Sequence, residues 1–130
     1  MIMVDTSVWI DYFNGNINAQ SERLEKLLSE DIVIIGDIIL AEILQGFRYD
    51  KDFIQARNSL NQLGCVNIGG KPLAIRSAEN FRKLRQSGIT IRKTTDMLIA
   101  TYCIQHHITL LHNDRDFDPM VKHLGLKSLI

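Results

Sequence analysis

The chain has 130 residues, 45% hydrophobic and 23% charged. That is the make-up of one soluble domain with a real core, and it excludes disordered and collagen-like classes. Fifteen Lys and Arg balance fifteen Asp and Glu, but residues 1–64 hold ten acids against five bases and residues 65–130 the reverse, so a polarised surface is expected.

The first stretch, Met1-Ile2-Met3-Val4-Asp5, reads as a short buried strand ending on an acid. Asp5 interrupts the apolar run, so no signal peptide is visible. A helix follows over residues 6–13, and Asn14-Gly15-Asn16 stops it. A second helix over 18–29 puts Leu24, Leu27 and Leu28 on one face. The run Ile32-Val33-Ile34-Ile35 is a β-branched strand closed by Gly36-Asp37. Residues 38–47 are apolar almost all round, which predicts a buried helix. An amphipathic helix covers 50–63, and Gly64 ends it.

In the second half, residues 65–68 read as a short strand with Gly69-Gly70 as its turn. Lys71-Pro72 opens a helix that runs to Ser87, Pro standing where a first turn accepts it. Thr94-Thr95-Asp96 starts another helix. Residues 108–112 are a strand, 113–116 a turn, 117–124 a short helix and 127–130 a final edge strand. Apolar strands alternating with helices imply a single α/β domain over residues 1–130, with a parallel sheet of four to five short strands covered on both faces.

No uncharged apolar run approaches the ~20 residues of a membrane span. Cys65 and Cys103 fit no metal or disulfide spacing and are expected as buried thiols in a reducing cytoplasm.

The acids carry the chemistry. Each has an ordinary role open to it. Asp5 can cap the helix after it, Asp96 sits in a first turn where the helix dipole favours an anion, and Asp114 and Asp116 lie in a turn. Glu42 is harder to explain. Its helical neighbours are Ile38, Ile39, Gln45 and Gly46, and a carboxylate on so apolar a helix is costly without partners. In a parallel α/β sheet, strand carboxyl ends and helix N-termini share one edge. Asp5, Asp96, Asp114 and Asp116 are expected to converge there, with Glu42 projecting toward them. Carboxylates ~4 Å apart repel by about 4 kcal/mol at an effective dielectric near 20. Such a cluster calls for protons or a cation, and oxygen ligands favour Mg²⁺ or Mn²⁺ over Zn²⁺.

Four segments then carry a resemblance. They are Val4-Asp5-Thr6-Ser7-Val8-Trp9, Ala41-Glu42-Ile43-Leu44-Gln45-Gly46, Thr95-Asp96-Met97-Leu98-Ile99-Ala100 and Leu111-His112-Asn113-Asp114-Arg115-Asp116-Phe117. In order and spacing they resemble the four acidic motifs of the PIN-domain family, and the whole chain is similar to the toxin component of VapBC-type toxin–antitoxin modules. The resemblance implies a Mg²⁺- or Mn²⁺-dependent ribonuclease. Its catalytic acids would be Asp5, Glu42, Asp96 and Asp114, and its metal would lie among Asp5, Asp96, Asp114 and Asp116. Thr6 would support the metal's water shell. It also implies a cognate antitoxin and a homodimer, acting on RNA in the cytoplasm with no membrane partner.

Arg92 and Lys93 immediately precede the Asp96 helix and are expected to border the site and meet RNA phosphates. The other bases of residues 71–85 read as a solvated helix face. Trp9, Tyr12 and Phe13 read as core, and the four histidines fit no zinc spacing. Two rival classes fit the residues less well. A catalytically idle scaffold of the same fold would have lost acids, and all four are present. A phospho-acceptor receiver needs an acidic pair at its first strand end, where Thr6 follows Asp5, and a central acceptor Asp, where Asn67 stands.

Overall fold

Three apolar residues, Ile2, Met3 and Val4, form the central strand β1 (Ile2–Val4). So short a segment is held extended by neighbours on both sides. It pairs in parallel with β2 (Val33–Gly36) through Ile2↔Val33 and Met3↔Ile34. On its other side it pairs in parallel with β4 (Thr109–Leu111) through Met3↔Leu110 and Val4↔Leu111. Strand β3 (Gly64–Val66) adds to β2, giving the all-parallel order β3-β2-β1-β4. The structure, a computed structural model, describes residues 1–129.

Every residue of β2 is buried, as a strand covered on both faces requires. The outer strand β3 is different. Gly64 and Cys65 are exposed there. The expectation of two buried thiols is therefore corrected for Cys65, which sits on an edge strand, while Cys103 is buried. The predicted strand over 127–130 shrinks to a single parallel bridge between Ser128 and Leu110. Around it, Leu110 N–H donates to the Lys127 carbonyl (2.9 Å) and Leu129 N–H to the Leu110 carbonyl (3.0 Å). Ile130 lies outside the described residues.

Among the described residues, seven α-helices flank the sheet: α1 (Thr6–Phe13), α2 (Ala19–Leu28), α3 (Asp37–Gln45), α4 (Asp50–Leu60), α5 (Lys71–Gln86), α6 (Thr94–Gln105) and α7 (Asp118–Leu124). Local chemistry sets several of their ends. Asn18 and Ser21 form a reciprocal capping box at the start of α2. Pro72 and Pro119 occupy the first turns of α5 and α7. Gly15, at φ 73°, takes the left-handed turn after α1. Gly36 allows a close approach, because a Cβ there would collide with Ile68.

The core runs through Met3, Val4, Trp9, Leu24, Ile35, Ile39, Leu84, Ile99, Leu110 and Phe117. Burying each large apolar side chain is worth about 1.5–3 kcal/mol. The expectation of a buried helix is corrected for α3. Only Ile39 and Ile43 are buried, while Ile38, Leu40 and Leu44 are half-buried. The helix packs against α1, α4 and β2, which cover one side of it. Among the described residues, no helix is long and apolar enough to cross a membrane.

The strand order has a functional corollary. The chain winds from β1 through β2 to β3 in one direction, then places β4 on the opposite side of β1. The winding reverses between β1 and β4, and in open α/β sheets the crevice at that reversal, beyond the strands' carboxyl ends, is where ligands bind.

Candidate functional site

The residues that leave β1 and β4 meet at that crevice and are stitched together. Asp5 caps α1, its Oδ2 accepting from the Ser7 N–H (3.1 Å) and the Ser7 hydroxyl (2.7 Å). Ser7 Oγ in turn accepts from the Asn113 N–H (3.1 Å), just beyond β4. Asn113 Nδ2 also lies 3.5 Å from Asp11 Oδ2, a longer contact. One hydroxyl thus ties the first acid to the turn that carries the last ones.

That turn is tightly built. Asp114 caps a 3-10 turn over Arg115–Phe117, its Oδ1 accepting from the Asp116 N–H at 2.9 Å. Asp96 arrives from the first turn of α6. One carboxylate oxygen from each of Asp96, Asp114 and Asp116 lies within 4.8 Å of the other two. Among the described residues this is the one such group of three His, Cys, Asp or Glu side chains. Asp5 lies outside that trio. It raises the proton affinity of Asp96, and Asp114 does the same to Asp5. Glu42 comes from α3, and its Oε1 accepts from the Thr6 hydroxyl at 2.8 Å. The Thr6 hydroxyl is therefore engaged by an acid.

Burial and mutual repulsion act on these groups together. Burial pushes the Asp5 carboxyl above its usual range, the Ser7 donors pull it back, and Asp114 pushes it up again. Asp96 is raised to about 7, first by burial and then by Asp5 and Asp114, with Glu42 adding a little and Lys93 opposing. Asp96 Oδ2 is buried and has no hydrogen-bond partner. A buried carboxylate oxygen left so is costly unless something positive reaches it. Three converging carboxylates, one with a bare buried oxygen, fit a hard divalent cation held by oxygen donors.

The two bases named from the sequence, Arg92 and Lys93, lie beside the acids. Arg92 is 81% exposed and reaches Asp116 at 3.3 Å. Lys93 is exposed, one turn before Asp96, and its charge is felt there. Lys71, Arg76, Arg82, Lys83 and Arg85 are all exposed on α5, as a solvated face should be. His106, His107 and His123 are exposed and His112 is buried. The aromatic helix face is only partly core. Trp9 is buried, whereas Tyr12 and Phe13 are half-buried and line a groove with Phe47 and Tyr49.

Ser7 and Asn113 are working parts that the acidic motifs do not single out. The signal for Ser7 was present, since a hydroxyl two residues after a helix-capping Asp can bond its carboxylate. Asn113 acts through its backbone N–H, which no side-chain pattern could reveal.

Comparison with known proteins places these features in company. Residues 2–122 match the family model described as PIN domain. A curated relative, VapC ribonuclease Mb1587 of Mycobacterium bovis, is 31% identical over 130 residues, covering 98% of this chain and 97% of the relative. The solved VapBC2 structure from Rickettsia felis, bound to a DNA fragment from their promoter, superposes with a TM-score of 0.76 at 22% identity, covering 99% of this chain and 98% of that one. A toxin–antitoxin complex from Klebsiella pneumoniae gives a TM-score of 0.72 at 18% identity, covering 100% of this chain and 97% of that one. At such identities the solved structures speak for the fold.

Proposed function

The chain belongs to the PIN-domain family, and on that footing we propose that it is a divalent-metal-dependent endoribonuclease, the toxin of a toxin–antitoxin pair. The observation that carries the reading is the meeting of Asp96, Asp114 and Asp116 within 4.8 Å at the sheet's reversal point. The buried, unpartnered Asp96 oxygen in that cluster supports it. The relative named a VapC ribonuclease supports RNA as the substrate. The neighbours named as VapBC and toxin–antitoxin complexes suggest a cognate antitoxin. In this reading residues 1–130 form one nuclease domain that works as a homodimer in the cytoplasm.

Asp5, Asp96, Asp114 and Asp116 would hold Mg²⁺ or Mn²⁺, the cations that an all-oxygen donor set favours. Bound there, the ion supplies Lewis acidity toward water and neutralises charge on the phosphodiester. Each protein group has its own part. Ser7 holds Oδ2 of the Asp5 carboxylate in place through two hydrogen bonds. Thr6 fixes one oxygen of Glu42, leaving the other to take a proton from attacking water. Arg92 and Lys93, at the rim, meet the RNA backbone. The alternative of an idle scaffold would leave a repelling acid cluster with no purpose.

The test is cleavage of structured RNA by purified protein, with Mg²⁺ or Mn²⁺ and then with EDTA. Cutting that depends on the metal is expected. Cutting that continues unchanged in EDTA would sink the metal assignment, and absence of cutting across a broad RNA panel would sink the nuclease.

A further inference from the structure

His112 differs from the other three histidines in being buried, 6% exposed, between the acid cluster and the last described residues. Both of its ring nitrogens are engaged. Nδ1 accepts from the Asp114 backbone N–H at 3.3 Å. Nε2 stands 3.0 Å from the Ser128 hydroxyl. The ring leans on Phe117, centroids 5.1 Å apart and planes at 48°.

We propose that His112 is a positioning residue for the Asp114 carboxylate, anchored by Ser128 from the segment that bridges β4. The proposal rests on the reading of Asp114 as part of a metal site. A neutral imidazole carries one N–H and one lone pair. The Asp114 N–H needs an acceptor, so the lone pair is on Nδ1 and the proton on Nε2, which donates to Ser128 Oγ. Ser128 is itself fixed by the Leu110 bridge and the two backbone bonds around it. The route therefore runs from the edge of the sheet, through one ring, to the backbone of Asp114. From there the Asp114 carboxylate, holding the Asp116 N–H, sets the 3-10 turn that presents both acids.

The bond from His112 Nδ1 to the N–H two residues on has the layout of an Asx turn, in which an Asn or Asp oxygen does the same work. Nδ1 of His and Oδ1 of Asn stand the same number of bonds from Cα. Asn at this position should therefore replace the acceptor that matters, although it is smaller and cannot reach Ser128. Phe should keep the ring packing on Phe117 and supply no acceptor.

The experiment compares Mn²⁺ affinity of the wild type, His112→Phe, His112→Asn and Asp96→Asn, with the melting temperature of each as a fold control. His112→Phe should weaken Mn²⁺ binding about 10- to 100-fold, the range typical of lost supporting contacts behind metal ligands. His112→Asn should stay within about 3-fold of wild type, since the backbone acceptor is restored. Equal affinity in wild type and His112→Phe would overturn the proposal. So would His112→Asn binding as poorly as His112→Phe, since a packing role alone would then explain both.

An independent reading needs no metal. The ring nitrogens of His112 in the metal-free protein, followed by ¹⁵N-edited NMR, should show the proton on Nε2. A proton on Nδ1 would overturn the hydrogen-bond route. If the wild type ignores Mn²⁺ altogether, the metal reading fails by itself, and the ring spectrum still decides whether His112 holds the Asp114 backbone.

Discussion

Asp5, at the β1–α1 turn, and Asp96, at the start of α6, are equally hidden, each 5% exposed. Their surroundings are opposite. Asp5 receives an N–H and an O–H from Ser7. Asp96 has a buried oxygen that receives nothing. Both carboxyls are pushed toward their protonated forms by burial, but only Asp5 has donors that counter the push strongly. The two turns divide the work. One is a satisfied capping structure that also presents an acid. The other is an acid kept unsatisfied, and an unsatisfied buried acid is what a cation can exploit.

Removing charge from the unsatisfied side should have the largest effect. Asp96→Asn should lower RNA cleavage by more than about 100-fold, on the scale of losing one preorganised electrostatic group in an active site. The same change should leave the metal-free protein at neutral pH as stable as wild type or more so, because a repelling charge is gone. Asp5→Ala, by contrast, should also remove a helix cap worth about 1 kcal/mol. Melting temperatures of the two variants side by side would break the comparison if Asp96→Asn proved the less stable.

The next effect is on pH and metal together. The folded-state value for Asp96, about 7, lies above the unfolded value of about 4. Between these limits the folded chain holds more protons than the unfolded one. Metal-free stability should therefore fall as pH rises from about 4 to about 7, by at most about 1.4 kcal/mol per pH unit for one proton. Mg²⁺ should offset the loss at the upper end, adding about 2.7 kcal/mol at 100 times its dissociation constant. Urea unfolding across this range, with and without Mg²⁺, checks both signs. A metal-free stability that climbed with pH through the window would contradict the unsatisfied state of Asp96.

The smallest effect belongs to the satisfied side. Ser7→Ala removes one donor from Asp5 and the acceptor of the Asn113 N–H, which should cost about 1 kcal/mol in denaturant unfolding. Cleavage should drop less than in Asp96→Asn. A stability cost near zero would mean that the Ser7 link contributes little to joining the two turns.

Much of this is legible in the sequence. Ile2–Val4, the β-branched run at 33–35 and Leu110-Leu111 announced their strands, because a buried parallel strand must be continuously apolar. Asp5, Asp96 and Asp114 were recognisable as acids bound for one sheet edge, since strand ends and helix starts share it. Other features could not be read. Which face of α3 would be covered depends on where α1 and α4 land, not on its own apolar residues. Cys65 reads as a core thiol, and only the place of its strand at the sheet edge exposes it. His112 sat in a strand-ending pattern that says nothing about a partner sixteen residues later. Each miss concerns contacts between distant segments, which local propensity does not encode.

The pairing of β1 with β4 has a consequence in time as well as space. Met3 lies beside Leu110, and Asn113 is held by Ser7. During synthesis the first strand leaves the ribosome long before its partner exists, at about 5–20 residues per second. Closing so long a loop is the slow kind of folding event. A nascent or prematurely terminated chain therefore carries Asp96 without Asp114 and Asp116, the two acids that meet it. A stop codon before Asp114 would leave the proposed metal site without two of its four acids, Asp114 and Asp116.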